Sequence, residues 1–265
     1  MRGYLFYERS DATVNARFIE QLQLAAKAQQ IELQLGYPDE LQQLQLDVDF
    51  VWNRSRQAAV SYYFEAKNVR VFNNAKTNEI ANDKLLATRF VERLHIETVP
   101  TWQQIEQITA YPVVVKSIDG HGGKEVRLCE SEVELHQQLE QLRDKSVIFQ
   151  PYIEANAQDV HVWMLGTTII GAVLRTGKND FKSNYTLGGT IEKFELPKPL
   201  HQNVLTITEA LRSDYIGIDF IKGVDGTFYF NEIEDPVGAK SYYDLYDDQL
   251  AKRLIRYIVQ TIKEN

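Results

Sequence analysis

The sequence predicts two kinds of architecture in one chain of 265 residues: a small open α/β unit, then a larger α+β region. Three observations carry this. Strand-like and helix-like patterns alternate up to about residue 75. A glycine-rich loop then joins two short apolar runs, a strand–loop–strand arrangement. Near the end, two aromatic-rich runs flank Lys222-Gly-Val-Asp-Gly226, a hairpin pattern in which Asp-Gly tolerates positive φ.

Residues 3–8 read as a strand and 15–29 as a helix, with Phe18, Leu22 and Ala25 at helical spacing. Residues 31–35, 49–52 and 69–72 read as further strands. The Gln-rich stretch 21–45 keeps recurring apolar residues, so it reads as solvated surface of a folded unit. Asn73 to Glu79 reads as a polar connector. A helix is expected over 83–94, capped by Asp83, with Leu86, Phe90 and Leu94 as its apolar stripe. Residues 111–118 and 125–129 are strands around the 119–124 loop. Ser131 with Glu134 is a capping-box start for a helix to about Leu142. Strand 147–149 follows, then an irregular apolar segment, 149–153. A hairpin of 160–165 and 168–175 turns at Gly166-Thr167. A helix over 201–212, the hairpin 217–235 and a closing helix over 247–262 complete the chain. The expected domains are 1–75, 76–149 and 150–265.

A net charge of −8 argues against nucleic-acid binding as the main task. The single cysteine, Cys129, excludes an internal disulfide and a cysteine-cluster metal site, which fits a reducing cytosol. Glu8 comes too early for a signal peptide, and no apolar run is long enough to span a bilayer. A cytoplasmic protein without membrane partners is expected. A homo-oligomer is left open.

The chemistry concentrates in four places. Asp219, Glu232 and Glu234 lie in hairpin runs that otherwise read as buried. Side chains alternate along a strand, so Glu232 and Glu234 share a face, and Asp219 falls opposite Asn231 or Glu232. Converging carboxylates need a cation, and an all-oxygen set favours Mg²⁺ or Mn²⁺ over zinc. A solvated hairpin face is the alternative. The loop Gly120-His-Gly-Gly-Lys124 fails as a Walker A loop and as a dinucleotide fingerprint, leaving a flap whose amides could close over phosphates, or a plain glycine-rich turn. Lys116 leaves a buried strand toward that loop, placed for an anion or simply snorkelling to water. In 149–153, Pro151 offers a carbonyl and Ile153 an N–H, suited to an adenine edge; an ordinary linker is the other reading. Arg175 and Lys182-Ser-Asn184 form a second cationic cluster, able to hold a γ-phosphate and a developing oxyanion, or a charged surface loop. None of the five histidines shows ligand spacing, so no histidine metal site is expected.

In order, Asn82-Asp-Lys84, Val114-Val-Lys116 before Asp119-Gly-His-Gly-Gly123, Gln150-Pro-Tyr-Ile153 and Asp159 resemble the ATP-grasp superfamily. So do Arg175, Asp180-Phe-Lys-Ser-Asn184 with Gly188-Gly189, Gly217-Ile-Asp219 and Asn231-Glu-Ile-Glu-Asp235. The similarity spans about residues 76–262 and is strongest to the branch that ligates glutamate to ribosomal protein (RimK-like). The resemblance implies an ATP-grasp fold preceded by the small α/β domain. It implies ATP and Mg²⁺ as cofactors, Mn²⁺ as a second candidate, and a carboxylate and an amine acceptor as partners.

The residue roles follow from the same resemblance. Lys116 and Lys84 would face the phosphates under Gly120, Gly122 and Gly123. Gln150, Pro151, Tyr152 and Ile153 would line the adenine, Asp159 the ribose. Lys182 and Ser183 would add nucleotide contacts, with Arg175 and Asn184 at the γ-phosphate and acyl group. Asp219, Glu232 and Glu234 would hold metal. The family usually has Glu-x-Asn where Glu232-x-Glu234 stands, commonly Arg at Lys182, and a different segment in place of Asp235–Tyr242, where substrate is contacted. A carboxylate–amine ligase is therefore expected. The alternatives are a non-ligating ATP-binding regulatory module and a kinase-like phosphotransferase.

Overall fold

The computed structural model describes residues 1–178, 189–246 and 249–264. Its first sheet holds β1 (Arg2–Phe6), β2 (Glu32–Gly36), β3 (Phe50–Asn53) and β4 (Arg70–Phe72), all parallel, in the order β2-β1-β3-β4. The central strands β1 and β3 are buried on both faces because both are covered, whereas the edge strand β2 exposes Glu32 and Gln34. Tyr4, Phe6 and Val51 pack on Val60 and Phe64 of α3 (Ala58–Glu65). Leu5, Leu33 and Phe50 pack on Phe18 and Leu22 of α2 (Ala16–Ala28), which follows the short α1 (Arg9–Val14). The sequence reading omits α1 and α3. Both are short, and α3 is apolar nearly all round, so neither shows a helical stripe.

The stretch read as a polar connector is helical: α4 (Ala75–Ala81) begins where Asn74 accepts a hydrogen bond from Thr77 N at 2.8 Å. The next helix, α5 (Lys84–Glu92), starts as expected at Asp83, which accepts from Leu86 N at 2.8 Å. Its buried stripe is Ala87, Phe90 and Val91, whereas Leu86 is 43% exposed. Leu86 lies in the first turn, one turn ahead of Phe90 on the same face.

The second sheet, β5 (Val113–Ser117), β6 (Val126–Cys129) and β7 (Val147–Pro151), is antiparallel in the order β6-β5-β7. Leu135 of α6 (Glu132–Gln141) packs on it beside the buried Cys129. Ser131 caps α6 at Glu134 N, while the Glu134 carboxylate binds Glu130 N at 2.8 Å, one residue earlier than a capping box requires.

The third sheet is antiparallel in the order β10-β9-β8-β11-β12: β8 (Gln158–Leu165), β9 (Thr168–Thr176), β10 (Thr190–Lys193), β11 (Tyr215–Lys222) and β12 (Phe228–Glu234). One face, including Val160, Val162, Ile218 and Phe220, buries against Leu200, Val204 and Ile207 of α7 (Lys198–Leu211) and against Phe90 and Val91 of α5. After α8 (Lys240–Leu245), the closing helix α9 (Leu250–Glu264) packs between this sheet, at Trp163 and Tyr215, and the first. Its Leu254, Ile255 and Ile258 join the core beneath the first sheet. No helix among the described residues is long and apolar enough to cross a membrane.

Asn73, fully buried, stitches the first and third sheets. Its Nδ2 donates to Tyr215 O at 2.8 Å and Asp235 Oδ1 at 3.0 Å, and its Oδ1 accepts from Tyr215 N at 2.9 Å. Orphaning buried polar groups costs about 1–3 kcal/mol each. Asn73→Ala should therefore lower stability by about 3 kcal/mol in urea unfolding. A loss under about 0.5 kcal/mol would contradict this role.

Candidate functional site

A cleft open at its mouth runs between the second and third sheets. Its inner end is apolar, with Val99, Val114, Val126, Ala155 and Ile221. Gln150, Pro151, Tyr152 and Ile153 pass along its edge. Of the segment read as irregular, Gln150 and Pro151 are the last residues of β7, because β5 continues to pair with them. The Gln150 side chain is buried and donates to Thr101 Oγ1 at 2.9 Å.

Two lysines occupy the middle. Lys116 comes from β5 and is 8% exposed, and its Nζ donates to Asn231 Oδ1 at 2.8 Å. Burial pushes its ammonium down to about 8, partly offset by Glu232. Lys84, at the first turn of α5, donates to the carbonyl of Gly120 and lies 3.5 Å from Glu232. It therefore ties the glycine loop to the third sheet. Gly122 and Gly123 have φ of 65° and 71°, a conformation glycine adopts at little cost. A side chain at Gly120 would meet Ser117 Oγ at 2.0 Å, where Ser117 donates to Glu125 Oε2 at 2.5 Å. Gly120, His121 and Gly123 all line the cleft.

The outer end is a charged face of the third sheet. The register sets Asp219 opposite Glu232 on one side and His161 on the other, and Asp159 opposite Arg175. Arg175 forks onto Asp159, with Nε to Oδ1 at 2.7 Å and Nη2 to Oδ2. Its Nη2 also donates to Asp219 Oδ2 at 2.7 Å. The Nδ1 of His161 meets Asp219 Oδ1. Burial works against the Asp219 carboxylate, but Arg175 and His161 outweigh it and hold the group at about 2. Burial would discharge His161, yet Asp219 raises it. Burial, then the nearby Asp219, push Glu234 up to about 7.

The donor set fits a divalent cation: carboxylates of Asp219, Glu232 and Glu234 share this face, and Glu234 cannot ionise cheaply beside Asp219 without positive charge between them. The structure lines one cleft with Lys84, Lys116, Gly120, Gly123, the 150–153 edge, Asp159 and Glu232, and the strand register sets Arg175, Asp219 and Glu234 beside Asp159 and Glu232. Lys182, Ser183 and Asn184 lie outside the described residues. The sequence reading missed His161 because it looked for ligand spacing along the chain, whereas the partner of His161 is across the β8–β11 pair. Its position two residues after Asp159, hence on the same strand face, was the available signal. Asn231, the partner of Lys116, was passed over for the same reason.

A family model described as the RimK-like ATP-grasp domain matches residues 78–258. An uncharacterized protein of Mycoplasma genitalium is 28% identical over 222 residues, covering 82% of this chain and 77% of its own. A protein described as a probable alpha-L-glutamate ligase, from Haemophilus ducreyi, is 28% identical, covering 62% of this chain and 58% of its own. Among solved structures, the D-alanine–D-alanine ligase of Bacillus anthracis complexed with ATP aligns with a TM-score of 0.78 at 17% identity, over 100% of this chain and 98% of that one.

Proposed function

Since the chain belongs to the RimK-like ATP-grasp family, we propose that it is an ATP-dependent ligase joining a carboxylate to an amine through an acyl phosphate. One observation carries the reading. An apolar slot, two lysines beneath a glycine loop, and Glu232 line a single cleft, and Glu232 is paired by register with the buried Asp219, which Arg175 holds. Those are the parts that adenine, phosphates, and metal with transferring phosphoryl group require.

The adenine occupies the slot beside Pro151 and Ile153. Lys116 exchanges its Asn231 partner for phosphate oxygens, and Lys84 keeps Gly120 of the flap against them. Asp159, which lines the cleft, faces the ribose. Asp219, Glu232 and Glu234 hold Mg²⁺, with Mn²⁺ the second candidate. The cation supplies neutralisation of β- and γ-phosphate oxygens. Arg175, oriented by its fork on Asp159 and its bond to Asp219, would present positive charge to the γ-phosphate and the acyl oxyanion.

The substrate carboxylate then attacks γ-phosphorus and ADP leaves. The amine attacks the acyl carbon, loses its proton, and phosphate leaves. Positioning and charge complementarity supply the rate, as in phosphoryl transfer generally. An amino acid, peptide or protein terminus is the proposed substrate, a class to which the name of the Haemophilus relative also belongs. The cytoplasm is the proposed location.

A non-ligating ATP-binding module is the second reading. The observation favouring it is Glu234, an acid where the resembling family usually has asparagine. ADP and phosphate release from Mg²⁺·ATP over a panel of amino acids and peptides separates the two. Stimulation by a carboxylate–amine pair supports the ligase. Tight ATP binding with no stimulated turnover sinks it.

A further inference from the structure

We infer that His161 is a nitrogen ligand of the cation on the carboxylate face, making the site a mixed nitrogen–oxygen set that prefers a first-row transition ion such as Mn²⁺ to Mg²⁺. This rests on the ligase reading for the presence of the cation and adds to it the identity of one donor and the preference that follows.

The geometry comes from the strand register. His161 stands directly opposite Asp219, and Glu234 stands opposite Gly217, the next residue of β11 on the same face. His161 and Glu234 are therefore diagonal neighbours across β11, with a glycine between them. A Cβ at position 217 would come within 2.7 Å of His161 Cε1 and 3.3 Å of Glu234 Cβ. Only a residue without a side chain lets the imidazole and the carboxylate face each other there.

One ligand atom from each of His161, Asp219 and Glu234 lies within 4.8 Å of the others. Two ligands bonded at about 2.0–2.2 Å to one ion sit up to about 4.4 Å apart, so a small inward shift closes the set. The ring is held for that task. The indole of Trp163 meets it edge-on at 4.3 Å between centroids, and Trp163 Nε1 is itself fixed to Gly238 O at 2.9 Å. At 2% exposure His161 has no water to turn toward.

A residue that only steadied Asp219 would approach its carboxylate from the side away from Glu234. Here the imidazole also has a ligand atom within 4.8 Å of a carboxylate oxygen of Glu234. Mg²⁺ takes oxygen ligands and keeps its waters, whereas imidazole suits transition ions. The expected preference for Mn²⁺ over Mg²⁺ is at least about tenfold in dissociation constant, or roughly 1.4 kcal/mol.

The test uses the full chain labelled with ¹⁵N-histidine, Mn²⁺ and the non-hydrolysable analogue in which methylene replaces the β,γ-bridging oxygen. Pulsed electron paramagnetic resonance should show the ¹⁵N coupling of a directly bound imidazole. His161→Gln should lose it while still binding Mn²⁺, with the Mn²⁺-over-Mg²⁺ preference reduced to about twofold or less. Mn²⁺ bound to the wild-type chain without that coupling overturns the assignment and leaves the ligase reading intact. Failure of Mn²⁺ and nucleotide to bind at all overturns both. Should that variant not fold, His121→Gln, which removes the other histidine at the cleft, must keep the coupling for the assignment to stand.

Discussion

Asp219→Asn should leave a folded chain whose Mg²⁺-dependent ADP release falls by on the order of a thousandfold or more. Asp219 is the carboxylate on which the outer site converges: Arg175 takes one oxygen, His161 the other, and Glu232 stands opposite. Its acidity, held at about 2 by those cations against its burial, keeps it ionised throughout the working range. Asparagine keeps the shape and removes the charge. A cation held here would lose an anionic ligand, and Arg175 and His161 lose the charge that orients them. Losing one preorganised electrostatic partner costs about 10²–10³ in turnover, and here two functions depend on one group. Folding survives because Arg175 keeps its fork on Asp159. Circular dichroism and urea unfolding check the fold, and coupled ADP detection checks turnover. Turnover within threefold of the wild type would remove Asp219 from the metal site.

Lys116→Met should separate binding from stability. It should weaken ATP binding by about a hundredfold, as expected for a buried charge-assisted contact worth about 1.5–3 kcal/mol. It should not destabilise the chain. Burial lowers the Lys116 ammonium to about 8 from 10.5, so at neutral pH the folded state carries a cation it disfavours. The unfolded chain binds more protons here between those two values, so this residue's effect on stability improves as pH rises through about 8 toward 10.5. The full shift corresponds to an upper bound of about 3 kcal/mol, reduced by the lost bond to Asn231. ATP affinity runs the opposite way. The free enzyme loses the Lys116 proton above about 8, and the dissociation constant for ATP should climb there by up to about tenfold per pH unit. Lys116→Arg should flatten that rise. Calorimetry between pH 7 and 10 measures it, and a flat profile in the wild type would mean Lys116 does not meet phosphate.

The parts of this site legible in the sequence are those set by local rules. Alternation along a strand put Glu232 and Glu234 on one face, and the Asp225-Gly226 turn brought Asp219 opposite Glu232. The glycine loop and Lys116 were legible because they stand together at the end of one strand. What escaped depends on pairing between strands distant in sequence. His161 meets Asp219, and Arg175 reaches both Asp159 and Asp219, only once β8 lies between β9 and β11. The closing helix read as amphipathic, but nothing local says that Leu254 and Ile258 return to the first sheet. Leu86 looked like core because its spacing fits, yet in the first turn of α5 it stays 43% exposed.

The central claim is that the carboxylate is activated as an acyl phosphate, and isotope transfer tests it most directly. The acid that stimulates turnover in the substrate panel is labelled with ¹⁸O in its carboxylate and incubated with the chain, Mg²⁺, ATP and the amine. The account predicts one ¹⁸O atom in the released phosphate for each amide formed. Unlabelled phosphate accompanying the same amide would contradict it.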